Sequence, residues 1–105
     1  MAARYLIKLM FEWGGGGVLW AANDAARDAF DVGPVEDRLP LSEPARARLD
    51  ELSAWHDTAL NWAYPPDPGP WSEEEERRFE AAAAEALAAV RAELGAEYEV
   101  VYRRL

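Results

Sequence analysis

From Tyr5 to Trp13 every second residue is apolar: Tyr5, Ile7, Leu9, Phe11 and Trp13. A period of two puts these side chains on one face of a β-strand, an arrangement that a helix cannot give them. The opposite face holds Leu6, Lys8, Met10 and Glu12 and is half apolar, which predicts a central place in a sheet. Gly14 to Gly17 end the run, and Val18-Leu19-Trp20-Ala21 resumes it. Two such runs around a glycine-rich loop predict a β-hairpin. At the other end of the chain, Glu97 to Leu105 alternates again. Tyr98, Val100 and Tyr102 share one face; Glu97, Glu99, Val101 and Arg103 share the other.

Between these ends the period becomes helical. Ser42 caps a first long helix, with Pro44 tolerated in its first turn. Ala45, Leu49, Leu52, Trp55, Ala59 and Trp62 recur at spacings of three and four, drawing one apolar stripe. Pro65-Pro66 cannot continue the helix, so its end is predicted near Asn61 to Tyr64. The stretch Tyr64 to Trp71 is rich in proline, hence stiff and extended. Ser72 opens a second helix with the capping box Ser72-Glu73-Glu74-Glu75, and Glu73 to Glu76 lie at the positive pole of the helix dipole. Phe79, Ala83, Ala86, Leu87, Val90 and Leu94 form its buried stripe, and Gly95 stops it. Asn23 or Asp24 can cap a short helix through Phe30, which Gly33-Pro34 would end. Val35 to Leu41 reads as a loop that drops Leu39 and Leu41 onto the core. The pattern leaves open whether residues 23–41 are helical.

Strand directions then follow by counting reversals. The C-terminal strand lies parallel to the first, after a right-handed crossover through two helices. The expected fold is α+β, one domain over residues 1–105. It has a three-stranded mixed sheet of order 2-1-3 with two antiparallel helices over one face.

Composition narrows the function. With 105 residues and 50% hydrophobic content the chain can bury one core, and it is too apolar to be disordered. It lacks cysteine, which removes disulfides and thiolate chemistry. No apolar run reaches the 18 or so residues of a membrane span, and Lys8 and Glu12 interrupt the N-terminal run where a secretory segment needs continuity. A cytoplasmic location is expected. The net charge of -9 opposes nucleic acid and anionic lipid and favours a basic protein partner. Lys8 is the only lysine among 11 basic residues, a bias that a GC-rich genome's codons also produce, so the sequence leaves open whether the acidity is functional or compositional.

The motifs are mostly structural. Gly14 to Gly17 lack the Lys and Ser/Thr of a phosphate loop and precede a strand rather than a helix. His56, the single histidine, has no second metal ligand at i+3 or i+4 and no carboxylate placed to orient it. It reads as a core-edge histidine bonded to a loop carbonyl. No catalytic set, metal site or cofactor site is recognised. The tryptophans carry more. Trp13, Trp20, Trp62, Tyr64 and Trp71 can gather at one end of the domain, and such residues dominate interface hot spots.

The order Leu19-Trp20, Asn23-Asp24-Ala25-Ala26-Arg27, Phe30, Leu39-Pro40-Leu41-Ser42, Trp55-His56-Asp57-Thr58, Leu60-Asn61-Trp62 and Tyr64-Pro65-Pro66-Asp67 resembles an uncharacterised family of small acidic proteins from actinobacteria-type genomes. That resemblance implies no activity, but it makes Asn23-Asp24 and Leu60-Asn61-Trp62 family features.

The leading expectation is a small, non-catalytic protein-binding domain of the immunity-protein kind, which neutralises a partner. Trp20, Trp62, Tyr64 and Trp71 are the expected anchors. The alternative is a small-ligand module or minor enzyme whose aromatic-lined pocket uses Asn23, Asp24, His56 and Asn61.

Overall fold

The alternating N-terminal run forms the middle strand of the sheet. In the computed structural model, which describes residues 3–13, 17–31, 33–60, 63 and 69–103, β1 (Tyr5–Leu9) pairs antiparallel with β2 (Leu19–Ala21) and parallel with β3 (Tyr98–Tyr102). The strand order is β2-β1-β3, as the alternation predicts. Lys8 stands opposite Trp20, and Ile7 stands between Ala21 and Val100. Among the described residues three α-helices accompany the sheet: α1 (Asp24–Phe30), α2 (Glu43–Asp57) and α3 (Glu73–Leu94), with a 3-10 turn at Glu36–Arg38. The proline-rich connection falls largely outside the described residues, as do Gly14 to Gly16.

The core lies between the sheet and the helices. Ile7, Leu9, Leu19 and Val100 from the sheet meet Leu49 and Leu52 of α2 and Phe79, Ala83 and Val90 of α3 in one buried cluster. Burying each large aliphatic side chain contributes about 1.5–3 kcal/mol before the entropy of ordering it. Residues 24–30 are helical, and α1 is an addition to the expected pair of helices. Asn23 caps it, its side-chain oxygen accepting from Ala26 N at 2.9 Å. Phe30 packs edge-on against Tyr5, with ring centroids 5.1 Å apart, and so holds α1 against the sheet.

Several boundaries differ from the sequence pattern for definite reasons. The hairpin loses its ladder after Leu9. In a regular ladder Met10 and Val18 exchange two hydrogen bonds. Here Met10 N donates to Val18 O at 2.8 Å, but Met10 O accepts the Trp20 indole N–H at 3.0 Å. Val18 N turns instead to Glu36 Oε2 at 2.9 Å. Phe11 still reaches the core, whereas Trp13 bends out of line.

Helix α2 ends at Asp57, short of the proline pair. Thr58 N and Thr58 Oγ1 both donate to Trp55 O, at 3.0 and 2.6 Å, and Ala59 N donates to His56 O. These i→i−3 bonds tighten and close the last turn. The two long helices are tied at the far end. Glu93, near the end of α3, accepts from both Ser42 N (2.7 Å) and Ser42 Oγ (3.0 Å), while Ser42 Oγ accepts from Ala45 N to cap α2. That pairing fixes the helices antiparallel.

Candidate functional site

The ends of α2 and β1 and the start of α3 converge on a cleft of about 730 Å³. Its aromatic walls are Phe11, Trp13, His56, Trp71, Phe79 and Tyr102. Trp13, with 38% of its surface exposed, is the most exposed large apolar residue among those described. It is nevertheless held as a plate. Its indole N–H donates to His56 O at 3.0 Å, and its ring lies on the imidazole with centroids 4.9 Å apart and planes at 17°. Trp71 is fixed similarly, its indole N–H donating to Thr58 Oγ1 at 2.7 Å. Both polar handles are therefore spent on the protein, which leaves the ring surfaces for packing.

His56 fills the space between these plates. Its ring centroid is 5.6 Å from Phe11, 5.5 Å from Phe79 and 6.4 Å from Trp71. The expected side-chain bond to a loop carbonyl is not found at Nδ1, which is buried without a hydrogen-bond partner among the described residues. The aromatic cage, rather than a hydrogen bond, sets its environment. Burial pushes the imidazole pKa below its ordinary value, and the opposing pull of Asp57 and Glu80 is smaller. The sidechain is thus kept neutral in a cleft whose charges come from elsewhere.

Those charges are Glu73, Glu76 and Glu80 on α3, with Arg77 and Arg103. Spacings of three and four bring Glu73, Glu76 and Glu80 to one side of the helix. Glu80 is half-buried and accepts the Tyr102 hydroxyl at 3.2 Å; the other four are exposed. Among the described residues no group of three or more His, Asp and Glu is arranged to hold a metal ion.

The residues singled out by sequence divide into three groups. Trp71 and His56 are brought together in the cleft. Trp20, Asn23 and Asp24 do not line it. Trp20 sits beside Lys8 on the sheet face opposite Leu9 and Leu19, with its N–H on Met10 O. Asn23 is committed to capping α1, and its amide donates to Arg4 O at 3.2 Å. Asp24 is almost fully exposed and pairs with Arg27 at 3.2 Å. Asn61, Trp62 and Tyr64 lie outside the described residues. Of the aromatic set expected to gather at one end, Trp13 joins Trp71 in the cleft, while Phe11, Phe79, Tyr102 and Glu80 enter it without having been chosen as site residues, since strand and helix periodicity assigned the apolar ones to core stripes.

A family model described as Serratia CdiI immunity protein-like matches residues 5–105. The chain belongs to that family. No curated protein matches it. The match to the Serratia CdiI immunity protein-like family covers both walls of the cleft, from Phe11 to Arg103. It also contains every residue that carries the sequence resemblance, from Leu19 to Asp67. Among the described residues no helix is long and apolar enough to cross a membrane.

Proposed function

We propose that the chain is a non-catalytic immunity protein that neutralises a protein toxin in the cytoplasm by binding it, with the cleft between Trp13 and Trp71 as part of the contact. Membership of the Serratia CdiI immunity protein-like family is the observation that carries this reading. The cleft supports it physically. Two indoles are held by their own hydrogen bonds, so docking on them costs little side-chain ordering. The net charge of -9 would speed encounter with a basic toxin surface.

The test begins with capture of the partner from lysate of the source organism at about 0.15 M salt, where long-range surface charge is screened. The captured protein is then expressed in cells with and without the chain. Neutralisation predicts growth arrest by the partner and rescue by the chain. Rescue should be lost on combined Trp13→Ala and Trp71→Ala substitution with the fold intact. A partner whose effect on growth the chain leaves unchanged overturns the reading.

The cleft volume also lies in the range of small-ligand sites, about 300–1,000 Å³, which favours a small-ligand module as the second reading. A thermal-shift screen against metabolite classes separates the two: a ligand that raises Tm and is displaced by Trp71→Ala supports the second.

A further inference from the structure

We propose that the cleft takes an uncharged aromatic side chain projecting from the protein partner. The inference deepens the toxin-binding reading and rests on it only for the source of that side chain.

The polar groups inside the cleft are already engaged. The Trp13 indole N–H donates to His56 O at 3.0 Å, and the Trp71 indole N–H donates to Thr58 Oγ1 at 2.7 Å. The Tyr102 hydroxyl donates to Glu80 at 3.2 Å, and each of these two residues has a further interaction within the chain. Burial keeps His56 neutral, and its Nδ1 is covered, out of reach of an occupant. A polar or charged group entering here would shed its water without gaining a partner. The charges at the mouth cancel: Glu73, Glu76, Arg77 and Arg103 are all exposed, two of each sign. The charge pattern of the cleft therefore matches an occupant with no charge of its own.

The walls favour a ring over an aliphatic chain. Phe11 meets Phe79 edge-on, with centroids 4.9 Å apart and planes at 74°, and meets Tyr102 at 6.3 Å and 87°. Trp71 lies 5.1 Å from Phe79 with its plane tilted by 49°. These are the arrangements that aromatic quadrupoles prefer, and one more ring extends the same pattern. Among the described residues the ring contact of Trp13 is with His56 alone, and 38% of the residue stays exposed. Anchors of this kind tend to face aromatic anchors of the partner.

The probe is N-acetyl-phenylalanine methylamide, titrated into the folded chain while the indole N–H signals of Trp13 and Trp71 are followed by NMR. Saturable shifts of both signals are expected. The cyclohexylalanine analogue keeps the size and loses the π-face, so it should bind about two- to tenfold more weakly. Raising the salt from about 0.05 to 0.5 M should change the affinity less than about twofold, because no charge pair forms. Glu76→Gln should likewise leave probe binding unchanged. Cyclohexylalanine binding as well as phenylalanine, tighter binding of the arginine or glutamate analogue, or no saturable shift each overturn the proposal. Tighter binding of free phenylalanine than of the capped probe also overturns it, since that marks a small-molecule site rather than a seat for a chain-borne ring. All of these comparisons can be made on the unaltered chain, so none depends on a variant folding. The outcome is separable from the toxin reading. If the probe binds and growth is not rescued, the toxin reading falls while the aromatic site stands. Rescue without probe binding overturns the site alone.

Discussion

Trp13 lies flat on His56, with ring centroids 4.9 Å apart, and the same indole donates its N–H to the His56 carbonyl at 3.0 Å. One residue thus covers the imidazole and ties the end of β1 to the end of α2. The consequence is a titration. Burial lowers the folded pKa of His56 below the ordinary 6.5, and the unfolded chain keeps that ordinary value. Between the two values the unfolded chain holds a proton that the folded one excludes. Stability is therefore complete above about pH 6.5, falls as the pH drops through that value, and levels below the folded pKa. Denaturant melts at about pH 7.5 and about pH 5 should show the loss. His56→Leu should flatten the difference, whatever it does to stability at neutral pH. An unchanged slope in the variant would mean that other groups carry it.

The second prediction concerns Glu36, which lies 18 residues from Val18 in sequence and accepts from Val18 N at 2.9 Å and Leu19 N at 2.8 Å. Its carboxylate plugs backbone donors at the start of β2, and Gly17 lets the segment carrying it come close. A Cβ at Gly17 would collide with Pro34 Cβ and Glu36 Oε2. Glu36→Ala should cost about 2 kcal/mol, because it strands part-buried N–H groups. Gly17→Ala should cost about 1–3 kcal/mol through forced displacement. Hydrogen exchange at Val18 and Leu19 should accelerate in both variants more than at Ile7 on the central strand.

Ser42 and Glu93 supply a third. Glu93 accepts twice from Ser42, and Ser42 in turn caps α2, so the two ends share one network. Ser42→Ala removes the cap and one of the two bonds to Glu93, and should cost about 1 kcal/mol. Glu93→Gln should cost about 0.5–1 kcal/mol, since it weakens a charge-assisted pair at an exposed site. A double-mutant cycle should show the costs to be less than additive, because each change disables part of what the other removes. Strict additivity would show that the pair does not couple the helices.

The elements of this fold were readable where one physical signal acts alone. The alternation Tyr5-Ile7-Leu9 and the direction count gave the sheet order, and Ser42, Ser72 and Gly95 marked helix ends by local capping. The candidate site was less legible because it is built from long-range choices. Nothing local says that Val18 N will prefer Glu36 to Met10, or that Trp13 will leave its strand for His56. Trp20 looked like an anchor, yet its sheet face is set by pleat parity and turns it from the cleft. Glu80 carries no local signal, since only the fold brings the Tyr102 hydroxyl of β3 to it.

The last prediction follows from the open edge of β3. Tyr98, Val100 and Tyr102 direct their backbone groups away from β1, since Tyr5 N bonds Glu97 O and Arg103 N bonds Leu9 O on the paired side. Such an outer edge is a template for pairing with another chain. Arg91 on α3 reaches across it, donating from Nε at 2.9 Å and from its terminal nitrogen at 2.6 Å to the Val100 carbonyl. A guanidinium makes both bonds at once and holds a charge over the strand. Arg91→Ala should therefore do two things. It should lower stability by about 1–2 kcal/mol, and it should make association depend on protein concentration, because the Val100 carbonyl becomes available to a second strand. Arg91→Lys keeps the charge with a single donor point, so it should suppress that added association while recovering only part of the stability. Sedimentation velocity across a hundredfold concentration range reads the first effect and urea unfolding the second. A monomeric Arg91→Ala variant would show that the edge is guarded by its twist and by the exposed Glu99 rather than by the arginine.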